Sequence, residues 1–137
     1  MIQIKNKEII FPEISYRLTG LFYKIHNKLG RFCTEKQYTD ALAISLQEDE
    51  IEHKREKYIR LNFGTEKKEI QGIFPDFVIK NIIVIDIKAK KFITKDDYNQ
   101  MQRYLQLLNL RLGLIVNFRN TYLKPKRIIN YLYNSHA

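Results

Sequence analysis

Residues Phe74 to Lys90, reading FPDFVIKNIIVIDIKAK, constrain this chain more than any other stretch. Val78-Ile79 and Ile82 to Ile85 carry the β-branched bias of a strand pair, with Lys80-Asn81 as the expected turn. On the second strand Ile83, Ile85, Ile87 and Ala89 fall on one face; Ile82, Val84, Asp86 and Lys88 fall on the other. A strand apolar on both faces is buried, and an unpaired buried charge is costly. Asp86 and Lys88 therefore need a reason to be there. In one reading the strand emerges into solvent and Lys88 to Lys91 form an exposed cationic end. In the other, the two residues belong to a metal-centred site with Asp76 as a further ligand.

With 137 residues the chain is expected to form one domain, residues 1–137, with a sizeable core and no need of disulfides. A hydrophobic content of 45% argues against disorder. One cysteine, Cys33, and three histidines exclude an intramolecular disulfide and a zinc-finger-type site. No leader pattern opens the chain and no apolar run approaches the roughly 20 residues that span a bilayer. The expectation is a cytoplasmic protein in a reducing compartment, with no membrane association. Twenty-four Lys and Arg against fifteen Asp and Glu give a net charge of +9, which favours a polyanionic partner, nucleic acid first and an anionic membrane surface second.

Along the chain, Met1 to Pro12 reads as a lead-in that pairs loosely or wraps the core. Ile14, Leu18, Leu21, Phe22, Ile25 and Leu29 then repeat at helical spacing, with Gly30 as the stop. Thr34 is placed to cap a second helix from Glu35 to about Glu50, putting Glu35 in a first turn where the helix dipole favours an anion. Ile51 to Phe63 reads as one extended strand and Lys68 to Ile79 as its return, interrupted by Pro75. A third helix spans Asp96 to about Asn109, Leu112 to Phe118 is a buried strand, and Leu123 to Tyr133 reads as a strand or short helix. The order α-α-β-β-β-α-β describes an α/β fold: a central mixed sheet of four to five strands flanked by helices.

Pro75-Asp76, nine intervening residues and Asp86-Ile87-Lys88 resemble the signature of the PD-(D/E)XK nuclease superfamily. Glu35 on an upstream helix and Gln100-x-x-x-Tyr104 on the helix after the sheet core resemble its RecB and lambda-exonuclease branch. More narrowly, the chain resembles the small GxxExxY family from about Tyr16 to Ile129. The matching stretches include His26 to Gly30, Glu35 to Tyr38, Leu110 to Phe118 and Lys124 to Arg127. Two positions depart from that pattern: Phe32 stands where the family has its glycine, and Asp86 where it has glutamate.

The resemblance implies Mg²⁺ or Mn²⁺ held by Glu35, Asp76, Asp86 and the carbonyl of Ile87, since hard cations take oxygen ligands. It implies Lys88 as the ammonium that orients water and stabilises charge on phosphate. Gln100 and Tyr104 lie one turn apart on one helix face, suited to steering substrate or supporting Lys88. Tyr38, Lys90, Lys91, Arg103, Lys124, Lys126 and Arg127 are the expected nucleic-acid contacts. His26 has no assigned role beyond packing. The implied activity is hydrolysis of phosphodiesters, in DNA before RNA; a non-cleaving binding module and a dimerising or docking protein on the same fold are the rivals. With a strict two-residue turn at Lys80-Asn81, Asp76 would face Ile85 and point away from Asp86. A shared face requires a three-residue connection or a bulge, and one is expected.

Overall fold

The computed structural model describes residues 10–136, so residues 1–9 of the Met1–Pro12 lead-in lie outside it. Helix α1 (Pro12–Leu29) begins at its proline, whose missing N–H costs nothing in a first turn, and buries Leu18, Leu21, Phe22 and Ile25. Gly30 ends it at φ 76, a left-handed conformation that favours glycine. Helix α2 (Glu35–Glu48) starts at the expected cap: Thr34 Oγ1 accepts from Gln37 N at 3.1 Å, while Thr34 N donates to Gln37 Oε1 at 2.8 Å.

The expected single strand from Ile51 to Phe63 is two strands in two sheets. Strand β1 (His53–Arg55) pairs antiparallel with β4 (Phe77–Ile79), whereas β2 (Ile59–Phe63) pairs with β3 (Lys68–Ile73) in a separate hairpin. The break comes at Glu56, which takes φ 45 and donates its N–H to Asp76 O at 2.9 Å. The return segment breaks at Pro75, which cannot donate to a ladder. After β4 the chain enters β5 (Ile83–Lys88) and crosses over through α3 (Lys95–Leu108) to β6 (Leu112–Asn117), parallel to β5. The tail resolves as a strand, β7 (Lys126–Ile129), antiparallel to β6.

The result is an α/β fold whose five-stranded mixed sheet, ordered β1-β4-β5-β6-β7, is flanked by helices. Ile83, Ile85, Ile87, Leu112, Leu114 and Val116 face α1 and α2. Val84, Ile115 and Ile128 face α3 through Met101, Tyr104 and Leu105. Alternation along β5 and β6 thus feeds two cores from one pair of strands. Gly113 lets α3 approach: a Cβ there would lie 2.3 Å from Met101 Sδ.

Candidate active site

Strand β5 carries the site. Asp86 lies one step beyond Val84 on the α3 face and is buried, and Lys88 follows on the same face at the strand end. Ile79 pairs with Ile83, so Lys80, Asn81 and Ile82 make a three-residue connection, its first two residues left-handed at φ 51 and 58. That register continues past Phe77 and Ile85 to set Asp76 opposite Asp86, on a shared face. Ile87 N donates to Asp76 Oδ2 at 2.7 Å, so Ile87 enters the site through its amide.

Electrostatics follow from this crowding. Burial first, and the facing Asp86 carboxyl second, push Asp76 up to about 8. Glu35, in the first turn of α2, is raised by burial and then feels Lys88, Asp86, Lys90 and Asp97, which places its carboxyl toward the same site. Burial works against the Lys88 ammonium, yet Asp86, Asp97 and Glu35 hold it above its ordinary range. Lys88 Nζ is 3.2 Å from Asp86 Oδ2 and 3.7 Å from Asp97 Oδ1. Tyr104 is raised by burial first and then by Asp86 and Asp76, and its ring packs in the core between α3 and the sheet. Gln100 is half-buried one turn earlier on the same helix face.

The expected cluster of three acidic ligands is not assembled. Among the described residues no three His, Cys, Asp or Glu side chains stand close enough to hold a metal ion. Asp76 and Asp86 face each other, and the Lys88 ammonium bridges Asp86 and Asp97. The pair nonetheless suits a hard cation: two carboxyls share one face, Asp86 Oδ2 is buried with the Lys88 ammonium as its ion-pair partner and no hydrogen bond, and burial and Asp86 raise the facing Asp76.

Two residues missed in the sequence organise the site. Asp97 closes the capping box of α3 with Thr94 and binds Lys90 Nζ at 2.7 Å. Burial opposes its charge, but Lys90 and the Thr94 hydrogen bonds hold it at about 2. The Thr94-x-x-Asp97 spacing was the available signal. Asn117 is buried at the end of β6; its Oδ1 accepts from Lys90 N and Arg119 N, and its Nδ2 donates to Lys90 O. An asparagine inside the apolar run Leu112–Phe118 was its signal.

Several expected nucleic-acid contacts are placed differently. Tyr38 is fully buried, stacked on Phe118 at 4.3 Å, with its hydroxyl donating to Gly30 O and accepting from Cys33 N. It therefore holds the loop before Glu35 and presents nothing to solvent. Lys90 is already paired with Asp97. Lys126 shares a sheet row with Ile115 and Asp86, which puts it on the site's face, two strands or about 10 Å away. Arg127 falls on the opposite face and donates to Ile10 O at 2.8 Å, so the two cannot line one track. Lys91, Arg103 and Lys124 are exposed. His26 Nε2 donates to Asn120 O at 2.9 Å, pinning the turn after β6. A concavity of about 580 Å³ between Lys54, Tyr58, Leu108 and Leu110 contains none of the site carboxylates.

A family model described as PD-(D/E)XK nuclease superfamily matches residues 12–129. No curated protein matches the chain. A solved structure described as the crystal structure of SSO0001 is similar at 20% identity and a TM-score of 0.57. The similarity covers 71% of this chain and 50% of that one, and it speaks to the fold alone. Among the described residues no helix is long and apolar enough to cross a membrane.

Proposed function

The chain belongs to the PD-(D/E)XK nuclease superfamily, and on that premise we propose that it is a cation-dependent nuclease acting on DNA, of the GxxExxY kind. The observation that carries this reading is the pair of facing carboxyls, Asp76 and Asp86, beside the Lys88 ammonium at the end of β5. Nucleases of this superfamily typically use divalent metals. Asp76 and Asp86 would hold Mg²⁺ or Mn²⁺, with Glu35 and the Ile87 carbonyl able to complete the oxygen set. The cation supplies Lewis-acid polarisation of a phosphoryl oxygen and a more acidic water.

The chain's own groups do the rest. Lys88 is positioned by Asp86 and Asp97, so its charge is fixed where negative charge grows on phosphate. Ile87 N–H fixes the rotamer of Asp76. Tyr104, buried on α3 within reach of the fields of Asp86, Asp76 and Lys88, would support the site from the helix side. We extend the reading to one domain in an intracellular protein, with a homodimer or larger assembly left open.

The deciding test is cleavage of plasmid and single-stranded DNA in Mg²⁺ and Mn²⁺. Cutting that disappears in EDTA, in Asp86→Ala and in Lys88→Ala, with folding intact by circular dichroism, is the expected result. No cutting by the intact protein in either metal would sink the enzymatic reading. A second reading draws on the Lys88–Asp86 ion pair and the incomplete acidic cluster. In it the fold binds nucleic acid without cutting, and retention is salt-sensitive and indifferent to Asp86→Ala.

A further inference from the structure

Past the ends of β5 and β6 lies a cleft that contains none of the site carboxylates. It is about 500 Å³, lined by Arg31, Phe32, Lys91, Arg119, Asn120 and Thr121. Three segments meet in it: the α1–α2 loop, the loop after β5 and the turn after β6. They are tied together. Arg31 Nε donates to Arg119 O at 2.8 Å, His26 holds Asn120 O, and Asn117 binds Lys90 and Arg119 backbone groups at once.

The chemistry of the lining points one way. Among the described residues, Arg31, Lys91 and Arg119 have no carboxylate within 4.0 Å, so three cations converge without neutralisation. Such a cluster repels itself and is relieved by an anion. Between the arginines stands Phe32, 75% exposed, with the Arg31 and Arg119 guanidiniums 4.6 and 5.6 Å from its ring centre. Both guanidiniums lie over the ring; a planar base stacks on it by taking the place of one of them, and the displaced guanidinium edge suits a phosphate oxygen. Within a duplex the bases stack on one another and offer no face to such a ring.

Building on the nucleic-acid reading above, we propose that this cleft binds single-stranded DNA, Phe32 stacking one unpaired base and Arg31, Arg119 and Lys91 holding the adjoining phosphates. The substrate class is therefore single-stranded or frayed DNA, delivered to the Asp76–Asp86 pair from the loop shared by Lys90 and Lys91.

The test reads binding alone, by fluorescence anisotropy of a labelled oligothymidine and of a long hairpin duplex whose loop is a non-nucleotide linker, in EDTA and on Asp86→Asn protein. The single strand is expected to bind more tightly than the hairpin. Phe32→Ala should weaken it roughly tenfold or more, the usual worth of one base–aromatic stack. Phe32→Leu should stay weak and Phe32→Trp should bind as the parent does. Arg31→Gln with Arg119→Gln should lower the slope of log K against log salt by about one to two. Phe32 is exposed enough that its removal leaves the fold intact.

Phe32→Ala or Phe32→Leu binding like the parent overturns the proposal, as does a hairpin held as tightly as the single strand. The two readings fail separately. A protein that grips single strands through Phe32 and never cuts loses the nuclease reading and keeps the cleft. One that cuts duplex while Phe32→Ala is silent does the reverse.

Discussion

Asp76 is the residue whose chemistry the fold alters most. Its ordinary value is 3.8; burial, then the facing Asp86, raises it to about 8. Between those values the folded chain keeps a proton that the unfolded chain has released. The folded state then binds more protons, so stability falls as pH rises, beginning near pH 4 and ending past about 8. Urea denaturation across that range in EDTA is expected to show the decline. Asp76→Asn, which can still accept from Ile87 N, should flatten it and be the more stable protein at the alkaline end. An unchanged slope in the variant would remove Asp76 from the account. A divalent cation competes for the same oxygen, so Mg²⁺ should raise Tm more near about pH 8.5 than near about pH 6. Equal shifts at both, or none, would mean the carboxyl pair is not where the ion sits. Asp86 and Lys88 stood out in the sequence because charge inside a β-branched run demands a reason, and Asp76 entered through the pattern that the two resemble together with Pro75. Arg31 and Arg119 were not, since isolated surface arginines carry no spacing signal. Phe32 showed only as a departure from a resembling pattern.

Elements were legible where local chemistry decides them. Thr34 and Gly30 mark helix ends through hydrogen bonds made within a few residues, and both stand where expected. The strands were legible in part. Ile51–Phe63 shows no breaker, yet Glu56 takes a left-handed backbone because the sheet edge needs Asp76 to accept its N–H. That is a tertiary demand on an ordinary residue, and propensity does not record it. Pro75 did record the matching break. Close approach of α3 to β6 gives an element-scale expectation. A Cβ at Gly113 would meet Met101 Sδ at 2.3 Å and its Cγ at 2.7 Å. Gly113→Ala should cost about 1–3 kcal/mol through overpacking, read as a lower urea midpoint. Met101→Ala alone should cost about 2–5 kcal/mol. The double variant should lose clearly less than the sum, because each change relieves the other. Strict additivity would show that the helix does not rest on the glycine.

At the scale of the whole molecule, the parts that must act together come from distant segments, and Asn117 is the joint between them. It ends β6, yet its carboxamide serves Lys90 N at 3.1 Å, Lys90 O at 2.7 Å and Arg119 N at 3.3 Å. The loop that leaves β5 with Lys90 and Lys91 is thereby locked to the turn that carries Arg119. Lys88 O, accepting from Phe118 N at 2.9 Å, extends the same seam. Asn117→Ala removes the carboxamide and leaves these backbone groups without their partner. Each such group, once buried and unsatisfied, costs about 1–3 kcal/mol; partial hydration of the loop reduces that, so a total near about 2–4 kcal/mol is expected. The loss should be local in character. Hydrogen exchange should show faster opening at the Lys90 and Arg119 amides while the α1 and α2 amides keep their protection relative to global unfolding. Asn117→Asp should restore acceptance from both N–H groups but not donation to Lys90 O, and so recover part of the protection. If Asn117→Ala lowers protection uniformly instead, the seam is an ordinary piece of the core and the carboxylates and the cleft are joined by some other contact.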